Sequence, residues 1–165
     1  MTGATVPEQS RALFAALYRR QYGPIIGYAQ RRTGDRAVAE DITAEVFRIA
    51  WERCAAEPPT RAWLFVTARN LVQAHHRANR RASALHDRLV AEHRTGAPVL
   101  PAGDDVLAAL GRLPEDQREL LMARYWDDLD AGDCAALCHC SVGTLWVRLH
   151  RARAALRREL TKGRA

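Results

Sequence analysis

The 165-residue chain carries 25 basic residues against 19 acidic ones, a formal net charge of +6, and 48% of its residues are apolar. That apolar share is enough to bury cores of modest size and excludes a disordered tail, while the positive excess points to a polyanionic partner. No run of apolar residues is long enough to cross a membrane, and the first thirty residues lack the order of a secretory signal, so the sequence predicts a cytoplasmic protein without membrane insertion.

Gly and Pro are scattered, alternating β-branched runs are absent, and Ala, Leu, Arg and Glu dominate the periodic segments, which predicts an all-α fold. A first helix is expected from about Gln9 to Tyr22, with Phe14, Leu17, Tyr18 and Tyr22 on one side. Gly23-Pro24 kinks or restarts it, and Ile25, Ile26 and Ala29 carry it on to Arg32. The next helix, from about Arg36 to Arg53, has one apolar stripe of Val38, Ile42, Val46 and Ile49 and a second of Phe47 and Trp51, so it lies between neighbours. Its remaining face carries Asp41, Glu45, Arg48 and Glu52, a mostly acidic ridge open to solvent or to a basic partner.

After the loop from Cys54 to Pro59, a third helix is predicted from Thr60 to about Arg81, burying Leu64, Ala68, Leu71, Val72 and His75. Its opposite face lines up Trp63, Val66, Asn70, Gln73, Arg77 and Arg81. A ring that stacks, amides that read base edges and guanidinium groups that pair with phosphate suit unpaired nucleic acid. Residues 82–103, with Gly96-Ala97-Pro98 and Pro101-Ala102-Gly103, read as a flexible linker. Residues 104–162 then form a second small domain, with helices near Asp105 to Arg112 and Pro114 to Asp127, followed by a helical pair.

In that pair a short amphipathic segment, Leu129 to Cys138, precedes a helix that Ser141 can cap with its hydroxyl. Val142, Leu145, Leu149, Ala152 and Leu156 form one narrow stripe that seats the second helix, while Gly143, Thr144, Val147, Arg148, Arg151 and Arg158 point away. Helix, tight turn and basic helix make a helix-turn-helix, whose second helix enters the major groove. Residues 104–140 hold three Arg against nine Asp and Glu, whereas 141–165 hold six Arg and one Lys against Glu159 alone, a field directed along the domain. Cys134, Cys138 and Cys140 crowd the first half of the pair, but their spacing is not that of a zinc knuckle, and they read as buried or turn thiols, with no metal site. No His, Cys or carboxylate cluster has catalytic spacing, so neither an enzyme nor a cofactor is expected.

These segments together resemble the extracytoplasmic-function sigma factors of the bacterial sigma-70 family, over about residues 12–160. Ala39-Glu40-Asp41-Ile42 with Val46-Phe47 and Trp51, then Trp63-Leu64 with Ala68-Arg69-Asn70 and Arg77, resemble the first block of that family. Leu110 to Pro114 with Gln117-Arg118-Glu119, then Gly143-Thr144-Leu145 with Arg148-Leu149 and Arg151-Ala152-Arg153, resemble the second. The resemblance implies a sigma region 2 domain over 9–81, a linker over 82–103 and a region 4 domain over 104–162. It further implies that Glu40, Asp41, Glu45 and Arg48 dock on core RNA polymerase, and that Trp63, Asn70, Gln73, Arg77, Arg80 and Arg81 bind the melted minus 10 element. Gly143, Thr144, Val147, Arg148 and Arg151 then read the minus 35 element as duplex, and the loop from Cys54 to Thr60 captures a flipped base.

The implied partners are core RNA polymerase and promoter DNA, with an anti-sigma factor as a further candidate. The chain departs from the family pattern at Ala44, Ala74, Asp133, Cys134, His139, Trp146 and Val147. Of these, Ala44, Ala74 and Trp146 motivate an alternative, a degenerate sigma-like regulator or decoy that binds DNA or polymerase without starting transcription.

Overall fold

A computed structural model describes residues 8–54, 59–89 and 105–163, with side chains on the third helix described to Ser83. Among the described residues there are seven helices and no strand, grouped in two compact units, Met1–His93 and Arg94–Ala165.

The first unit holds α1 (Glu8–Thr33), α2 (Arg36–Cys54) and α3 (Arg61–Leu89). All three helices pack on one another around Ile25, Tyr28, Val46, Phe47, Leu64, Phe65 and Ala68. The Tyr28 ring meets Phe65 edge-on with centroids 5.4 Å apart, and the Arg32 guanidinium covers Tyr28 at 3.5 Å from its centroid. The two stripes of α2 are both used: Ile42 and Val46 are buried, while Phe47 gathers Phe14, Tyr18 and Tyr22 of α1, and Trp51 meets Phe14 at 4.9 Å. Asp35 starts α2 by accepting from the Val38 amide at Oδ1, and Thr60 starts α3 by accepting from the Trp63 amide at Oγ1.

One expectation is narrowed here and another changes. Helix α1 is a single element from Glu8 to Thr33, so the chain does not restart at Gly23-Pro24, and it continues past Arg32 as Ile25, Ile26 and Ala29 imply. Ile25, Tyr28 and Ala29 are buried immediately beyond Pro24, so packing of the next turn holds the helix where the missing N–H removes one bond. Helix α3 continues to Leu89, so 82–89, read as the start of the linker, is helical; that stretch contains neither Gly nor Pro. The rest of the expected linker to Gly103, and residues 55–58 of the expected base-capturing loop, lie outside the described residues.

The second unit holds α4 (Asp105–Gly111), α5 (Glu115–Tyr125), α6 (Ala131–Leu137) and α7 (Val142–Lys162), with α7 packed against the other three. Leu110, Leu113, Leu120, Leu121, Leu129, Leu137, Leu145 and Leu149 form its core. Arg112 ties the end of α4 to α7, donating from Nε to Glu159 Oε2 at 3.0 Å and from Nη2 to the Glu159 carbonyl at 3.3 Å. Lys162 also donates to Glu159, and the two cations hold that carboxyl below the usual carboxylate range. Helix α5 ends before the expected Asp127, because Asp128 takes a positive φ of 51° and the Leu129 amide turns back to Ala123 O.

Candidate nucleic-acid interface

Ser141 caps α7 as its hydroxyl requires, with Oγ accepting from the Thr144 amide at 3.1 Å. Leu145, Leu149, Ala152 and Ala155 are buried, which fixes the roll of the helix about its axis. Gly143, Thr144, Val147, Arg148, Arg151 and Arg158 are all exposed, so the structure puts every predicted duplex-reading residue on one outward surface. Val142 does not belong to the seat: it is 44% exposed, because it is the first helical residue and has no preceding turn to pack beneath it. Trp146, 48% exposed, stands on the flank of the same surface, beyond the set that periodicity singled out.

The turn that aims α7 is compact. Asp130 caps α6 through Oδ1, accepting from the Asp133 amide at 2.7 Å. At the far end the His139 amide donates to Ala136 O and the Cys140 amide to Ala135 O, with His139 at φ 50°, a left-handed helix stop of the kind glycine usually supplies. Arg148 Nη1 reaches the Cys138 carbonyl at 3.5 Å, tying α7 to this turn. Cys134 is buried, and burial, reinforced by neighbouring Cys138, pushes its thiol up to about 12 against the opposing pull of Arg124. Among the described residues no three His, Cys, Asp or Glu side chains are grouped to hold a metal ion.

In the first unit, Glu40, Asp41, Arg48 and Glu52 are exposed and Glu45 is half-buried along the outer face of α2. The ridge carries its own counter-charges: Arg36 donates to Glu40, and Arg48 donates to both Glu45 and Glu52. Arg48 thereby holds Glu45 below the usual carboxylate range, the hydrogen bond being the first cause. Along α3, Asn70, Arg77, Arg80 and Arg81 are exposed, whereas Trp63, Val66 and Gln73 are partly covered. Arg53, from the last turn of α2, sits over Trp63 at 5.5 Å from the ring centroid, a neighbour that helical periodicity within one element could not reveal.

A capped helix with an exposed cationic face on one unit, and an amide, aromatic and guanidinium row on the other, are the two candidate nucleic-acid surfaces of a helix-turn-helix protein. The family model for sigma-70 region 2 matches residues 17–82, and that for sigma-70, region 4 matches residues 103–156. Over 170 residues the chain is 31% identical to the ECF RNA polymerase sigma factor SigL of Mycobacterium tuberculosis, covering 95% of this chain and 93% of SigL. It is 38% identical over 98 residues to the ECF RNA polymerase sigma factor EcfG of Rhodopseudomonas palustris, covering 58% of this chain and 54% of EcfG. The sigma factor RpoE of Bartonella quintana, solved in complex with the anti-sigma factor NepR, shares the fold with a TM-score of 0.64 at 25% identity, covering 90% of this chain and 96% of RpoE. CnrH, solved with the cytosolic domain of CnrY, gives a TM-score of 0.64 at 26% identity, covering 90% of this chain and 88% of CnrH. The chain belongs to the extracytoplasmic-function sigma factors of the sigma-70 family, transcription initiation factors of RNA polymerase.

Proposed function

We propose a division of labour in which three surfaces act in sequence on polymerase, single-stranded DNA and duplex. Glu40, Asp41, Glu45 and Arg48 on α2 dock on a basic surface of core polymerase. Trp63, Asn70, Gln73, Arg77, Arg80 and Arg81 on α3 hold the melted minus 10 strand by stacking, base-edge contacts and phosphate pairing. Gly143, Thr144, Val147, Arg148 and Arg151 on α7 read the minus 35 element in the major groove. The working domains are residues 9–81 and 104–162, joined through 82–103, and the site of action is the cytoplasm. One solved relative, RpoE, was captured with an anti-sigma factor, and a partner of that kind is proposed here as well.

The observation that carries the reading is the geometry of α7, whose buried stripe of Leu145, Leu149 and Ala152 leaves a capped N-terminal half with an exposed cationic face. No group in the chain needs to make or break a covalent bond. Binding energy holds bases out of the duplex, so activity depends on polymerase. The test is run-off transcription by holoenzyme reconstituted from core polymerase and this chain, on promoters identified by sequencing RNA 5′ ends after overexpression. Transcripts that need both an upstream and a minus 10 element support the division of labour. Polymerase binding without any transcript would make the chain a decoy.

A further inference from the structure

Two features of α7 have no use within the fold. A Cβ built on Gly143 meets nothing nearer than Ser141 Oγ at 3.9 Å, so the domain's own packing leaves room for a side chain there. Gly143 is the second residue of α7, where glycine still gives up more backbone freedom than alanine would, though less is lost than in mid-helix. One turn further on, Val147 is 51% exposed, a stiff β-branched side chain half open to solvent. Gly143 and Val147 are four residues apart, on the same outward crest, opposite the buried Leu145, Leu149 and Ala152, with Thr144, Arg148 and Arg151 alongside.

We propose that Val147 reads the C5-methyl group of a thymine in the upstream duplex, and that Gly143 brings the helix close enough for it to do so. This rests on the assignment of α7 to duplex DNA and adds to it a base preference. Among the four standard bases thymine alone presents a methyl group in the major groove, and an apolar side chain against it removes both from water. A bare Cα one turn earlier lets the backbone approach the base edges, and the flanking arginines anchor the helix on phosphate or guanine. A C5-methyl group also occurs on 5-methylcytosine, and probes made with unmodified cytosine confine the reading to thymine.

The test uses the full chain bound to core polymerase and a pool of random-sequence duplexes. The selected duplex is then resynthesised with deoxyuridine, which lacks only the methyl group, at each thymine in turn. At one upstream position the wild-type complex should bind the deoxyuridine duplex about fourfold more weakly, the worth of burying one methyl group. Val147→Ser should bind both duplexes alike, and Val147→Ile should keep the difference. Gly143→Ala should weaken binding to every selected duplex while raising the melting temperature of the free protein. A selected upstream element without thymine, wild-type indifference to deoxyuridine throughout, or discrimination retained by Val147→Ser would overturn the proposal. Failure of the underlying assignment looks different: Arg148→Ala with Arg151→Ala would then leave duplex binding unchanged. Because Val147 is exposed, the serine variant should melt like wild type, which confirms that any loss of discrimination is not loss of fold.

Discussion

Arg48 clasps Glu45 with two parallel bonds, Nε to Oε2 at 2.8 Å and Nη2 to Oε1 at 2.7 Å, and turns its Nη1 to Glu52. All three side chains are solvent-exposed enough that the clasp adds little to stability; its effect is on the field the ridge presents. Asp41, one turn before Glu45, is exposed on the same face. Replacing Asp41→Arg together with Glu45→Arg should therefore reverse the ridge without disturbing the core. Association with core polymerase should slow by about tenfold or more at moderate salt. Unchanged affinity in a pull-down, with an unchanged melting curve, would remove α2 from the docking surface.

Arg48→Ala isolates the clasp itself. The bond from Arg48 lowers the pKa of Glu45, so in the wild type this carboxylate keeps its charge to lower pH than an ordinary glutamate. A depressed folded-state value means that the contribution to stability is present above the unfolded value and fades as pH falls through the folded one. In Arg48→Ala the Glu45 titration, followed by its side-chain NMR signal, should move up toward the ordinary carboxylate range. No movement would mean that the clasp does not persist in solution.

The two DNA surfaces should separate by mutation. Arg148→Ala and Arg151→Ala should each weaken binding of upstream duplex by about 1 to 3 kcal/mol if the arginine reaches a base edge. Asn70→Ala should leave duplex binding intact and reduce promoter opening, measured by permanganate reactivity of unpaired thymines. Equal loss of both activities in every variant would contradict the assignment of duplex to α7 and single strand to α3.

Legibility in the sequence followed the range of the forces involved. The cap at Ser141 and the double stripe of α2 were readable because a hydroxyl before a periodic run and a 3.6-residue period are local. The exposed face of α7 was readable for the same reason, and that of α3 only in part, since Trp63, Val66 and Gln73 are partly covered. The continuation of α1 to Arg32 was readable too, but the absence of a restart at Pro24 was not, because burial of Ile25 and Tyr28 against other helices overrides a local breaker. Fully buried Phe65 lies off the α3 stripe because α3 packs on both α1 and α2, which widens its buried face beyond one stripe. The cover of Trp63 by Arg53 was invisible too, since it joins two helices across the loop from Cys54 to Pro59.

Burial of Cys134 predicts slow chemistry. With its thiol raised from an ordinary 9.0 to about 12, almost none is thiolate near neutral pH, so thiol-specific reagents should label it far more slowly than a free cysteine. A raised folded-state value also sets a sign: the stabilising contribution is complete below about pH 9 and is lost as pH rises toward 12. Wild type should lose thermal stability faster than Cys134→Ala between those limits. Rapid labelling of Cys134 in the native protein, or parallel melting curves for the two proteins, would show that the thiol is not desolvated.

His139 holds a left-handed conformation, φ 50°, at the stop of α6, and its side chain is exposed, so it contributes strain without packing. For a residue with a Cβ this region costs roughly 1 to 2 kcal/mol, which glycine avoids, although glycine also loses more freedom on folding. The net gain expected for His139→Gly is about 1 kcal/mol, which for a unit of this size raises the melting temperature by roughly 4 to 8 °C. His139→Ala keeps the Cβ and should bring no gain. Both variants preserve the bonds from residues 139 and 140 back to Ala136 and Ala135, so the aim of α7 and duplex affinity should stay as they are. Calorimetry of the full chain decides the matter: a rise confined to the glycine variant supports strain at His139, and equal melting of all three proteins would show that the turn accepts histidine at no cost.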